Sequence, residues 1–461
     1  MTIARPSASD VHPASTTEQA SDINPSGVRK ANGVRKANAN DINLSDIDGF
    51  WARPLEYRRA AYAALRAQPG FPFYREPHVP FIQSGPGYYA LTRMDDIIAV
   101  SRNPMIFTSS KGATSAVDAP VEFNEFYGSM INMDDPRHAR LRRIVSKGFT
   151  QRQLNALTDN ITRLATRIVD DVIEAGDCDA VTAIAAKLPL AVICDLLGVP
   201  VEYHEFVLNR TNVILGALDP EYVPDMAGMF GAVMQAGADV AKLMRELAAQ
   251  RAKHPTDDLT SLLINAQVDG EALTPDELAS FFILLAVAGN ETTRNAISWG
   301  IQLLTEHPEQ RAIWLADLDR FTPTAVEEIV RYASPVIFMR RTVSDHAQPF
   351  ELSGQRLEPG DKVLMFYEAA NRDPAYFAEA ETFQVRRSPN PHIGFGAHGP
   401  HFCLGAHLAR QEISVMFHQL LSRMPDIHAT APPVRLRSMF INGIKHLPVT
   451  WTPGRPGSND R

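Results

Sequence analysis

Cys403 is the residue of this chain best placed to do chemistry. It lies in Gly394-Phe395-Gly396-Ala397-His398-Gly399-Pro400-His401-Phe402-Cys403-Leu404-Gly405, and an apolar run from Ala406 to about Arg423 follows. A cysteine just ahead of a helix N-terminus meets free backbone N–H groups and the positive end of the dipole, which favour the thiolate. In a loop of small residues such a thiolate is a soft ligand for iron or zinc. The alternative is an inert buried cysteine, the usual fate of a free one. His392, His398, His401 and His407 flank Cys403, so zinc is a rival to iron, although no second cluster completes a standard zinc spacing.

Two further constellations precede the loop. Leu285, Ala288, Gly289, Thr292 and Ala296 share one face at helical spacing, small and shallow with one hydroxyl. Gly289 weakens a helix by about 1 kcal/mol against alanine, so either a second helix or a flat ligand packs there. Glu291 beside Thr292 adds an acid to the alcohol, a pair suited to proton delivery; a solvated helix edge would carry the same residues. Glu328 and Arg331 stand three apart and can pair on a helix, a spacing that is common and weak on surfaces.

Long elements must position these groups. Thr274-Pro275-Asp276-Glu277 combines an N-cap, a first-turn proline and a capping-box glutamate. The apolar pattern runs on to about Leu304, a rod of roughly 45 Å. A second helix is predicted from Thr322-Pro323 to just before Pro335. Strand-like segments are Gly87–Leu91, Ala347–Leu357 and Lys362–Phe366. The reading is therefore mainly α with small β-sheets, in a single domain at 45–452. Residues 1–44, with GVRKAN repeated at Gly27–Asn32 and Gly33–Asn38, are expected to be a disordered tail, and 453–461 a short C-terminal tail.

The 461 residues carry 45 basic and 53 acidic side chains, a net charge of −8, which argues against a nucleic-acid partner. Three cysteines, Cys178, Cys194 and Cys403, exclude a disulfide framework and suit a reduced, cytoplasmic compartment. No apolar run marks a signal peptide or a membrane span.

Taken in order, the three constellations resemble the cytochrome P450 superfamily of haem-thiolate monooxygenases, from about Ile47 to Trp451. The resemblance implies a triangular helical prism around a buried haem b (iron protoporphyrin IX), with Cys403 as its iron ligand. It makes Thr292 and Glu291 the alcohol–acid pair beside bound O2. Ala288, Gly289 and Gly405 would lie against the haem. Glu328, Arg331 and Arg387 would form a structural lock behind it. His138 and Arg142 would meet a propionate, with Arg340 and His401 as further partners; the part of Arg341 is left open. In the family's usual loop a phenylalanine stands seven residues before the cysteine; here Gly396 is there and Phe395 is eight before.

FFILLAVAGNETTRNA at 281–296, SPVIFMRRT at 334–342 and FINGIKHLPVTW at 440–451 are similar to an actinobacterial family of methyl-branched lipid ω-hydroxylases. A sister family oxidises steroid C26/C27 side chains. The expectation is terminal hydroxylation of isoprenoid or branched fatty acids and alcohols, with sterol side chains as second substrates. Ile337, Phe338, Met339 and Phe440 would border the substrate channel. Fewer than sixty residues follow Cys403, so a monomer fed by a separate ferredoxin and NAD(P)H-dependent ferredoxin reductase is expected. Arg142, Arg143, Lys147 and Arg152 would offer a basic docking patch or be plain solvated charge. A haem sensor or carrier without turnover would not need Glu291 and Thr292.

Overall fold

A computed structural model describes residues 39–79, 82–149, 151–268 and 271–457 of the chain. The GVRKAN repeats and the rest of residues 1–38 lie outside the described residues. Packing begins before the expected boundary. Ile42 and Leu44 are buried with Phe50, Trp51 and Tyr62, and the Trp51 indole donates to the Leu44 carbonyl at 2.8 Å. The other end is likewise longer. Gly454 N–H donates to the Ile173 carbonyl at 3.0 Å and Gly457 N–H to Asp170 at 2.9 Å, so 453–457 dock on a helix end rather than fray.

Helices dominate. The longest, Pro275–Glu306, spans about 48 Å. Thr274 Oγ1 accepts from Glu277 N, and Glu277 returns the bond to Thr274 N, the reciprocal cap its sequence predicts. It packs against Lys187–Leu197, Met229–Lys253, Leu318–Ala333 and Ala406–Arg423. Most of its residues are buried, because it runs through the centre rather than along a surface. The helix expected from Thr322 starts earlier, at Leu318, capped by Asp317 on Arg320 N. Pro323 sits inside it. The carbonyl four residues back, on Asp319, loses its partner there but belongs to an exposed turn that water reaches.

The sheets are small. The largest orders its strands Phe73–Tyr74, Tyr88–Leu91, Lys362–Phe366, Phe338–Val343, Phe107–Thr108. The segment 347–357 forms a hairpin, Phe350–Leu352 with Gln355–Leu357. Its turn residues Ser353 and Gly354 both have positive φ, as such turns require.

The polar centre of the fold is the Glu328 carboxylate, fully buried with Arg331. Arg331 makes a two-pronged pair with it at 2.7 and 2.8 Å. Arg387 Nε bonds both oxygens at 3.1 Å, and Gln384 N and Asn390 add two more donors. Arg331 also donates to the carbonyls of Asn371, Ala380 and Thr382. Asn371 in turn accepts from Ile393 N at 2.8 Å, at the threshold of the cysteine loop. Removing one partner of such a buried pair costs about 3–5 kcal/mol. Arg331→Ala is expected to yield little folded, haem-loaded protein, and Arg331→Lys to rescue it poorly, because one ammonium does not reproduce the fork. Haem content and thermal melting check this; a stable, fully loaded Arg331→Ala protein would contradict it.

Candidate active site

The cysteine loop, the long helix and the Phe338–Val343 strand enclose a cavity of about 240 Å³. Cys403 forms part of its wall, and its N–H donates to the Phe395 carbonyl at 2.9 Å. Phe395 lines the cavity beside it, with the Arg410 guanidinium 4.3 Å from its ring. The longer loop thus still sets a phenylalanine against the cysteine. Gly396 stands at φ +94°, a conformation open to glycine, and an added Cβ at Gly399 would strike the Ser101 carbonyl at 2.3 Å. The following helix starts at Ala406 as predicted. Burial pushes the Cys403 thiol up, while the Gly405 N–H, Arg142 and Arg410 pull the other way. The thiolate therefore needs a cation partner to persist.

On the long helix, Ala288, Gly289, Thr292 and Ala296 all line the cavity. Thr292 Oγ1 donates to the Ala288 carbonyl at 2.8 Å. Gly289 also serves helix packing: a Cβ there would lie 3.2 Å from Ile193 on the neighbouring helix. Glu291 departs from expectation. It is buried but not on the cavity wall; its carboxylate pairs with Arg294 and accepts from Asn295 at 2.9 Å. Consecutive helical residues are about 100° apart; the step back from Thr292 takes Glu291 off the wall, whereas the step forward leaves Thr293 on it.

Strand geometry corrects the expected cationic partner. Arg340 does not face the cavity; it is held by Asp118 at 2.6 Å and the Val117 carbonyl at 3.1 Å. Arg341 does face it, buried, and donates to the Arg340 carbonyl at 2.7 Å. The same alternation separates Met339 from Phe338. Met339, two before Arg341, lines the cavity. Ile337, Phe338 and Phe440 do not; they pack in the core beside Trp51 and Phe366, with the Phe338 and Phe440 rings 5.6 Å apart. Pro335 and Val336 take their place on the wall.

His401 and Arg142 line the cavity as well, and Arg142 donates to the Phe402 carbonyl at 2.7 Å. Burial, then Arg341, hold His401 far below its usual value, so its ring is neutral. His138 stands behind it, ring centroids 4.2 Å apart, with an Nε2 that has no partner. The zinc alternative fares poorly. His392 is engaged by Glu327 at 2.9 Å, and among the described residues no group of three or more His, Cys, Asp or Glu gathers to hold a metal. Haem fits the donor set instead. A Cβ on Gly405 would meet nothing within 4 Å, which leaves open space at the cavity wall beside Cys403, and two buried groups, Arg341 and His138, have hydrogen-bonding capacity to spare.

One cavity residue carried no sequence signal. Glu412, on Ala406–Arg423, is 3% exposed; its Oε2 has no partner, and burial pushes its carboxyl up to about 8. The folded chain keeps this proton over a range where the unfolded chain has lost it, so stability falls as pH rises from about 5 to 8. Glu412→Gln is expected to flatten that slope and to raise the melting temperature most at the alkaline end. Parallel melting curves of the two proteins check it.

Comparison with known proteins agrees with this geometry. The sequence profile of the cytochrome P450 family matches residues 123–425. The chain is 48% identical over 415 residues to a methyl-branched lipid omega-hydroxylase of Mycobacterium tuberculosis, covering 89% of this chain and 95% of that one. It is 39% identical over 376 residues to a steroid C26-monooxygenase of the same organism, covering 79% and 83%. The solved structure of Mycobacterium marinum cytochrome P450 CYP268A2 in complex with pseudoionone superposes with a TM-score of 0.85 at 39% identity, covering 91% of this chain and all of that one. With a cysteine loop and a threonine-bearing central helix lining one cavity and a buried Glu-x-x-Arg pair in its core, the chain belongs to the cytochrome P450 family of haem-thiolate monooxygenases.

Proposed function

We propose that the enzyme hydroxylates a terminal methyl carbon of methyl-branched lipids, isoprenoid acids or alcohols among them, and takes sterol side chains as second substrates. The observation that carries this is an apolar cavity with Cys403 on one wall and Thr292 on another, in a chain similar to a methyl-branched lipid omega-hydroxylase and a steroid C26-monooxygenase. Bound haem b supplies the oxidising chemistry on O2. Cys403 would be its thiolate ligand. Arg142, Arg341 and His401, supported by His138, would hold its propionates. The Thr292 hydroxyl, anchored on the Ala288 carbonyl, keeps a proton at the cavity wall.

Electrons come from a ferredoxin reduced with NAD(P)H by its reductase. Beside the cysteine loop, Arg143 and Lys147 are exposed and Phe402 is 38% exposed, a basic rim around an apolar point that suits a small acidic protein. The side chain of Arg152 lies outside the described residues. No described helix is long and apolar enough to cross a membrane.

Terminal attack requires positioning, since a tertiary C–H bond at the branch is weaker than a methyl one. Met339, Leu284, Leu285 and Ile131 crowd the cavity and would admit a chain end more easily than a branch. With a ferredoxin system, a methyl-branched fatty acid is expected to give mainly the terminal alcohol, and a cholestenone-type steroid a side-chain product at lower rate. Mass spectrometry of the products decides it, and mainly tertiary or ring hydroxylation would refute the assignment.

Thr292→Ala is expected to keep haem and substrate binding while diverting electrons. Product per NADPH should fall by roughly tenfold, with hydrogen peroxide rising to match. Unchanged coupling would remove Thr292 from proton supply.

A further inference from the structure

The strand that puts Met339 and Arg341 on the cavity wall turns Arg340 to its other face, beside Lys362 of the neighbouring strand. Both cations are buried, Arg340 at 1% and Lys362 at 2% exposure. Two carboxylates answer them. Glu76 is buried, pairs with Lys362 and accepts from Gly85 N at 2.8 Å. Asp118 is shared: Oδ1 accepts from Arg340 at 2.6 Å and Oδ2 from Lys362 at 3.0 Å. It is the outermost of the four, its side chain 45% exposed.

Arg340 makes further bonds to the stretch of chain that leads to Asp118. Its backbone N–H donates to the Ala113 carbonyl at 2.7 Å, and its guanidinium to the Val117 carbonyl at 3.1 Å. Residues 113–117 read Ala-Thr-Ser-Ala-Val, side chains that bury little apolar surface with which to fix a loop. From Ala113 the tie continues: its N–H donates to Asn132 Oδ1 at 2.8 Å. Met130 and Ile131, just before Asn132, line the cavity. One arginine thus joins two portions of the cavity wall, its own strand with Met339 and the turn with Met130 and Ile131. An apolar residue at 340 would pack on the sheet with no buried charge to neutralise, so the guanidinium has a use other than packing.

We propose that Asp118 is a positioning residue: through Arg340 and Lys362 it holds the 113–118 loop, sets the separation of Met339 from Met130 and Ile131, and so makes the enzyme select a chain end over a branch. This rests on the lipid-hydroxylase reading above. Without the Asp118 carboxylate, two buried cations share one negative charge, that of Glu76. A buried cation that has lost its partner turns toward water or other acceptors, and the loop bonded to it shifts with it. The sheet beneath is kept by backbone pairing of Phe338–Val343 with Lys362–Phe366, so the loop yields first. Attack on a methyl carbon beside a weaker tertiary C–H bond tolerates little slack, because a productive geometry must be held within about 0.5 Å.

Asp118→Ala is expected to fold with its full haem content. Its ratio of terminal to branch-point alcohol from a methyl-branched fatty acid should fall about tenfold, with a higher KM. Amide hydrogen exchange of the substrate-free holoenzyme should quicken at 113–118 and 130–132 and stay as in wild type along Pro275–Glu306. Asp118→Asn, which keeps the shape without the charge, should shift the ratio in the same direction, and Asp118→Glu should return most of it. A ratio within about twofold of wild type in a haem-loaded Asp118→Ala protein, or unchanged exchange at 130–132, would overturn the proposal. So would loss of haem and stability with the ratio intact, since the cluster would then only support the fold. If Asp118→Ala does not fold, the ratio and the exchange of Asp118→Asn decide. A wild-type enzyme that makes no terminal alcohol refutes the lipid reading instead, and hydrogen exchange then judges the Asp118 tie by itself.

Discussion

A carboxylate with no access to water governs this structure. Glu328 is fully buried, and two guanidinium groups, a backbone amide and a side-chain amide surround its two oxygens. The demand is mutual. Arg331 spends its remaining donors on three carbonyls from the 371–382 segment, and that segment leads through Asn371 into the cysteine loop. The loop has few apolar side chains with which to hold itself in place. Its position, and with it that of Cys403, is borrowed from an electrostatic arrangement that must be complete to be stable at all.

The sequence disclosed this frame more readily than its wiring. Helix ends were legible because caps are local chemistry: Thr274 with Glu277 marks a start whatever the rest of the chain does. The cysteine loop was legible because its glycines answer to backbone geometry. Side-chain direction was harder. Arg340 and Arg341 are neighbours of one type, and only strand pairing with Lys362–Phe366 decides which turns inward. Phe338 and Ile337 have the bulk expected of a channel wall, yet tertiary packing assigns them to the core with Trp51. Glu412 was invisible, since a glutamate in an amphipathic run reads as a solvent-facing residue until the burial of its helix is known.

Thr292 and Glu291 show how a central helix serves two environments at once. A surface helix has one apolar stripe and one wet side. Pro275–Glu306 is enclosed nearly all round, so both of its sides can be specialised. One is smooth and apolar toward the cavity. The other gathers Asn290, Glu291 and Arg294 into a small polar interior. The helix itself separates the two, and its backbone ladder leaves few routes across other than side chains such as Thr292 that stand near the seam.

The docked chain end bears on how this enzyme can be joined to another protein. Gly454 and Gly457 close hydrogen bonds onto the end of the Gln151–Val172 helix region, at Ile173 and Asp170, and Trp451 just before them is buried with its indole on the Ile173 carbonyl. A tether to a redox protein that begins at residue 453 would pull on these bonds whenever the linker is stretched. One that begins beyond Gly457 leaves them intact, and the anchored segment then acts as a fixed strain relief between the linker and the haem-bearing core.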